Sequence, residues 1–164
     1  MPDQPRNVLF LCTHNSARSI LAEGLMTRLG AGRWVGHSAG SHPSGRVHPF
    51  ALEVLQSLGC AADGMHSKHW HVFAGPRAPL MDFIITVCDN AAGEACPLWP
   101  GEPVRLHWGF ADPSAAGGDD AARRAAFHAT ARQIDARIGA FIDEHQSVSR
   151  SAPPAWRRSG APTR

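Results

Sequence analysis

Asn7-Val-Leu-Phe-Leu-Cys12-Thr-His-Asn-Ser-Ala-Arg18-Ser19 decides the fold of this 164-residue chain. The apolar run 7–11 reads as a strand buried on both faces of a parallel sheet. From Ser16 to Leu29, Leu21, Ala22, Leu25, Met26 and Leu29 recur at helical spacing, and Gly30 ends the pattern. A cysteine at the exit of the strand and an arginine six residues later can close a loop over Thr13, His14, Asn15, Ser16 and Ala17. The N–H groups of such a loop converge on one oxyanion, and the N-terminal end of the helix adds its positive pole. That field is expected to hold Cys12 as a thiolate able to attack a bound tetrahedral oxyanion. Arg18 supplies a planar, permanently charged fork for two of its oxygens.

Outward from this motif the pattern repeats. Trp34–Ala39 reads as a second strand ending at Gly40, and Pro49–Leu58 as an amphipathic helix closed by Gly59. Asp82–Cys88 is a second all-apolar strand that again delivers a cysteine, and Val104–Trp108 is a fourth. Between them, Asp89–Gly101 carries two glycines and two prolines and is not expected to pack stably. A long helix is expected from Asp119, its N-cap, to about His145, with Phe127, Ala131, Ile134, Ile138, Phe141 and Ile142 on one stripe. Strands alternating with helices predict an α/β fold, a single-domain doubly wound four-stranded parallel sheet flanked by helices. Ligands in such sheets bind at the carboxyl ends of the strands, where Cys12, Cys88 and the loop Gly109–Pro113 all fall.

Bulk properties narrow the partners. Hydrophobic residues make up 43% and charged residues 18%, and the net charge of +2 gives no general attraction to nucleic acid. No stretch approaches the ~20 apolar residues of a membrane span, and the N-terminus lacks the order of a signal peptide. A cytoplasmic protein is expected, without membrane or nucleic-acid partners. One domain is expected over residues 1–145, with 146–164, rich in arginine and proline, as a disordered tail. Nothing demands more than a monomer. Four cysteines, Cys12, Cys60, Cys88 and Cys96, include no C-x2-C pair. They read as catalytic, redox-active or core thiols rather than a disulfide framework or zinc site. His66, His69 and His71 cluster without partner cysteines or carboxylates, so no metal site is expected. Cys60 has no assigned role.

The loop 12–19, the following Ile-Leu-Ala-Glu23, Ser38-Ala-Gly40, Cys88 with Cys96, and Asp112-Pro113 together resemble the arsenate reductases built on the low-molecular-weight protein tyrosine phosphatase fold, over about residues 6–143. The resemblance implies Cys12 as nucleophile, Arg18 as oxyanion binder, Ser19 bonded to the Cys12 thiolate and Asn15 shaping the loop from within. Asp112 would protonate the leaving oxygen. It further implies a Cys12–arsenate adduct, then a Cys12–Cys88 disulfide as arsenite departs, then a Cys88–Cys96 disulfide for an external reductant. No cofactor would be bound. The reductant could be a thioredoxin, a glutaredoxin with glutathione, or a mycothiol system.

Cys96 lies eight residues beyond Cys88, up to ~27 Å when extended, so residues 89–95 must loop to bring the two Cα atoms within about 4.4–6.8 Å. The phosphatases of this fold wall their site with aromatics. Here Ser114-Ala-Ala-Gly-Gly follows Asp112-Pro113 and the chain has no tyrosine, which suits an inorganic oxyanion. Trp108 and Phe110 are close enough in sequence to supply a wall, which keeps a phosphomonoesterase as the alternative. A non-catalytic arsenite-binding thiol sensor is a third reading, disfavoured because neutral arsenite needs neither Arg18 nor Asp112. Some family members hold potassium behind the loop through the counterparts of Asn15, Glu23 and Ser38. Lys68, the one lysine in this chain, is expected to stand in that place, pair with Glu23 and remove any potassium requirement.

Overall fold

The computed structural model describes residues 4–88 and 99–146. Four parallel strands, β1 (Arg6–Leu11), β2 (Trp34–Ala39), β3 (Phe83–Thr86) and β4 (Val104–His107), form one sheet in the order β2-β1-β3-β4. Val8 pairs with Gly36 on one side and Phe83 on the other, so the most apolar strand is central, as its unbroken run predicts. The helices are α1 (Arg18–Gly30), α2 (Pro49–Ser57) and α3 (Asp120–Gln146), with 3-10 turns at Trp70–Phe73 and Pro113–Ala115.

Alternation along the strands splits the core. Val8, Phe10, Phe83 and Ile85 face a large cluster built with Ile20, Leu21 and Leu25 of α1, Val54 and Leu55 of α2, and Phe127, Ile134 and Ile138 of α3. Leu9, Leu11 and Ile84 face the other way, onto Trp70, Phe73, Met81 and Trp99. Among the described residues the three helices share one face, and a 3-10 turn with irregular chain lies on the second. Asp119 caps α3 as expected, its Oδ1 accepting from the Ala122 N–H at 2.9 Å. Strand β3 ends two residues, and β4 one residue, earlier than the apolar pattern suggests.

No helix among the described residues is long and apolar enough to cross a membrane. Cys96 and residues 147–164 lie outside the described residues.

Candidate active site

Strand β1 ends at Leu11, and the Cys12 N–H still donates to Ala39 O at 3.3 Å. Beyond it the carbonyls turn outward. Thr13 O accepts from His42 N–H at 2.9 Å, His14 O from Ser44 N–H at 3.0 Å, and Ser16 O from His48 N–H at 3.0 Å. In a trans peptide the N–H points opposite to the carbonyl, so the N–H groups of His14, Asn15 and Ala17 point away from this brace, to the inside of the loop. Segment 42–48 thus shapes the anion loop from outside. Sequence reasoning missed it, since a brace made by main-chain N–H groups leaves no signature in side-chain pattern. Gly40 allows the close approach: a Cβ there would lie 2.5 Å from Thr13 O.

Inside the loop, Asn15 is fully buried and left-handed (φ 48°), a conformation asparagine tolerates better than most residues. Its Nδ2 donates to Ser19 Oγ at 2.8 Å, and its Oδ1 accepts from the Lys68 N–H at 2.9 Å. Asn15 therefore holds the loop from within, as expected. Ser19 Oγ accepts from Asn15, which leaves its own O–H to donate.

Helix α1 opens at Arg18 with no side-chain cap and no acidic residue in its first turn. Its leading N–H groups are left for an anion. The Arg18 guanidinium is held at both tips, Nη1 donating to Phe110 O at 2.9 Å and Nη2 lying 3.6 Å from Asp112 Oδ2. Its Nε is buried with no hydrogen-bond partner among the described residues. A buried charged donor without a partner fits a site whose substrate is an oxyanion. Asp112 is itself fixed, Oδ1 accepting from the Ser114 N–H at 2.9 Å and from its hydroxyl at 2.7 Å. Trp108, a candidate aromatic wall, is buried against Phe10, Phe141 and Arg137 on the helical face instead. Strand alternation points it into the core. Phe110 packs partly against the same cluster while its carbonyl holds Arg18.

Strand β3 delivers the second sulfur. Val87 continues the ladder, its N–H donating to Leu11 O at 2.9 Å, so Cys88 emerges beside the start of the anion loop. Cys12 and Cys88 are both buried and close enough for Cys88 to act on the ionisation of Cys12, and Thr13 Oγ1 lies 3.7 Å from Cys88 Sγ. The Cys88 sulfur and burial push the Cys12 thiol well above its ordinary range, against the Arg18 charge and the His14 N–H, which pull it down. The loop's own groups, Arg18 and the His14 N–H, favour the thiolate expected at Cys12, and Cys88 and burial oppose it. Two sulfurs in contact share a single charge, because a second would face the first across a short, dry gap. Both stabilising groups, Arg18 and the amide, act on Cys12.

Behind the loop, Lys68 Nζ donates to Ser38 O at 3.1 Å and sits 3.9 Å from Glu23 Oε1, which also accepts from Ser38 Oγ. The expected pairing is present. Burial pushes the Glu23 carboxyl up and the Lys68 ammonium down, each opposed by the other's charge. No group of three or more His, Cys, Asp or Glu able to hold a metal occurs among the described residues. His69 caps the turn Trp70–Phe73 through Nδ1 and stacks near His71. Cys60 is buried after α2, and burial pushes its thiol up.

The low molecular weight phosphotyrosine protein phosphatase model matches residues 7–152. The chain belongs to that family. Among its curated relatives, an arsenate reductase of Shouchella clausii is 35% identical over 136 residues, covering 83% of this chain and 94% of that protein. One of Bacillus subtilis is 31% identical over equal shares. Of solved structures, an arsenate reductase in the phosphate binding state aligns with a TM-score of 0.68 at 27% identity, covering 85% of this chain and 98% of its own. A thioredoxin-dependent arsenate reductase of Corynebacterium glutamicum aligns at 0.64 and 25% identity, covering 91% of this chain and 66% of that one.

Proposed function

We propose that this family member is a cytoplasmic, monomeric, thiol-dependent arsenate reductase. The observation that carries the reading is the buried second sulfur, Cys88, delivered by β3 beside Cys12 at an anion loop that requires only one sulfur for phosphate ester hydrolysis. Arsenate binds against the loop N–H groups and Arg18. The Cys12 thiolate forms a bond to arsenic, an As–O bond breaks, and Asp112 gives the leaving hydroxide its proton, so that water departs.

Once Cys12 is bonded to arsenic it no longer carries the shared charge, and Cys88 is free to ionise. Its thiolate attacks Cys12 Sγ. The S–S bond forms, the S–As pair of electrons stays on arsenic, and arsenate arsenic(V) leaves as arsenite arsenic(III). Cys96 then attacks Cys88, releasing the Cys12 thiolate, and an external dithiol supplies the two electrons that reopen Cys88–Cys96. A thioredoxin-type donor is favoured by the likeness to the thioredoxin-dependent enzyme of Corynebacterium glutamicum; glutaredoxin with glutathione and mycothiol complete the set to assay. Lys68 takes the place of a bound potassium ion, and activity is independent of potassium.

The test is arsenite release from arsenate with each reductant system. Cys88→Ser abolishes turnover and spares hydrolysis of an aryl phosphate. Strong phosphatase activity indifferent to Cys88 and Cys96 would make the chain a phosphomonoesterase instead, and stoichiometric arsenite binding without turnover would make it a sensor.

A further inference from the structure

We propose that His48 is a positioning residue that couples the anion loop to helix α2 and releases that coupling when its ring takes up a proton. Three contacts meet on this residue. Its N–H donates to Ser16 O at 3.0 Å and so holds the last outward-turned carbonyl before Arg18. Its Nδ1 accepts from the Phe50 N–H at 3.1 Å and caps α2. Its ring lies against Phe127 and Phe50, with centroids 4.6 Å and 5.3 Å away.

The cap fixes the tautomer. A nitrogen that accepts from a peptide N–H carries no proton, so the ring is neutral with its hydrogen on Nε2. Protonation at Nδ1 would set two N–H groups against each other and break the cap. The surroundings oppose a charge there as well. Burial opposes the charge most, the positive charges of Arg123 of α3 and Arg46 of the bracing segment oppose it further, and Asp112 favours it, so the imidazole is held below its usual range. The Phe50 face that could otherwise attract an imidazolium already receives the guanidinium groups of Arg123 and Arg124, at 5.5 Å and 4.6 Å.

His48 therefore works as an intact cap above its own range. On acidification the ring turns from Phe50 and loosens the Ser16 carbonyl, and the N–H groups of the loop lose their common focus. The consequence is an acid limit on oxyanion affinity that belongs to the protein and not to the anion. It rests on the oxyanion-binding reading of the loop but not on arsenate reduction.

Inorganic phosphate is the probe, its affinity measured by calorimetry on the full, reduced chain between pH 8 and pH 4.5. His48→Asn places Oδ1 where Nδ1 stood and keeps the cap without a titrating ring; His48→Phe keeps the ring and loses the cap. The Asn variant is expected to bind like the wild type at pH 8 and about fivefold better than it at pH 4.5, the value of one cap expressed as affinity. The Phe variant is expected to bind about fivefold more weakly at pH 8. Phosphate's own protonation is common to all three proteins and cancels in the ratios. An Asn variant that keeps the wild-type acid decline, or a Phe variant that matches the wild type at pH 8, overturns the proposal alone. No phosphate binding by any of the three at pH 8 removes the oxyanion site and the proposal with it.

Discussion

Two neighbouring strands each end in a buried cysteine, yet the chain treats the two ends differently. At the end of β1, Cys12 receives an arginine, a peptide N–H and a loop whose carbonyls are drawn outward by segment 42–48. At the end of β3, Cys88 receives the Thr13 hydroxyl and the Cys12 sulfur. The same thiol chemistry is thus placed beside a guanidinium and a peptide N–H on one strand and beside a hydroxyl on the next. That asymmetry orders the proposed steps: the first attack falls to the sulfur beside the charges, and the second waits until the first sulfur is bonded to arsenic.

The largest change is expected from removing the asymmetry at its source. Arg18→Gln keeps a polar side chain but deletes the charge and the buried Nε donor. We expect kcat/KM for arsenate to fall by about 10²–10³, the usual cost of one preorganised oxyanion donor. Loss of less than tenfold would show that the N–H groups, not the guanidinium, distinguish the two ends.

The support beneath the β1 end comes next. Lys68→Met leaves Glu23 buried without its cation, and we expect about 2–3 kcal/mol of lost stability at neutral pH. The sign of the pH dependence follows from burial, which raises the Glu23 carboxyl above its unfolded value. Stability that rests on protonated Glu23 is complete below the unfolded value of 4.5 and is lost as pH rises through the raised one. The deficit relative to wild type should therefore shrink in denaturant titrations at acid pH. A deficit that grows on acidification would mean that Glu23 is not the group left unpaired.

Cys88→Ala reads the sulfur pair directly. It removes the largest upward push on Cys12, whose thiol should ionise at lower pH and alkylate faster with iodoacetamide at neutral pH, followed on the Cys12 peptide by mass spectrometry. An unchanged profile would separate the two sulfurs and leave the reductase reading without its main support.

How much of this was legible beforehand depends on which atoms carry the information. Strands, helices and the sheet class follow from apolar periodicity, and Cys12 and Arg18 from a strand–loop–helix junction that side chains mark plainly. The Lys68–Glu23 pairing was also readable, because a lone lysine beside a family acid position has few other uses. The brace 42–48 was not, since its work is done by backbone N–H groups. Nor was the upward push of Cys88 on the Cys12 thiol, since Cys88 lies 76 residues away in sequence and the register of β3 against β1 brings the two together. The bond from Asn15 to Ser19 was equally hidden, being decided by the left-handed turn at Asn15.

The smallest expected effect tests the one side chain that belongs to both ends. Thr13 sits in the anion loop of β1, and its Oγ1 lies 3.7 Å from the sulfur on β3. Either atom can donate, so the contact orients the Cys88 thiol or steadies its thiolate, and both serve the second attack without touching the first. Thr13→Val keeps the branched shape and deletes the hydroxyl. One such bond contributes about 1 kcal/mol, so the rate of arsenite release in a single turnover should fall about fivefold. Alkylation of Cys12 should stay at the wild-type rate, because the groups acting on that sulfur are Arg18, the His14 N–H and Cys88. If both rates fell together, Thr13 would belong to the anion loop alone and the division of labour between the strand ends would fail. A fall in arsenite release alone would place the hydroxyl on the β3 side of the boundary, where its distance from Cys88 puts it.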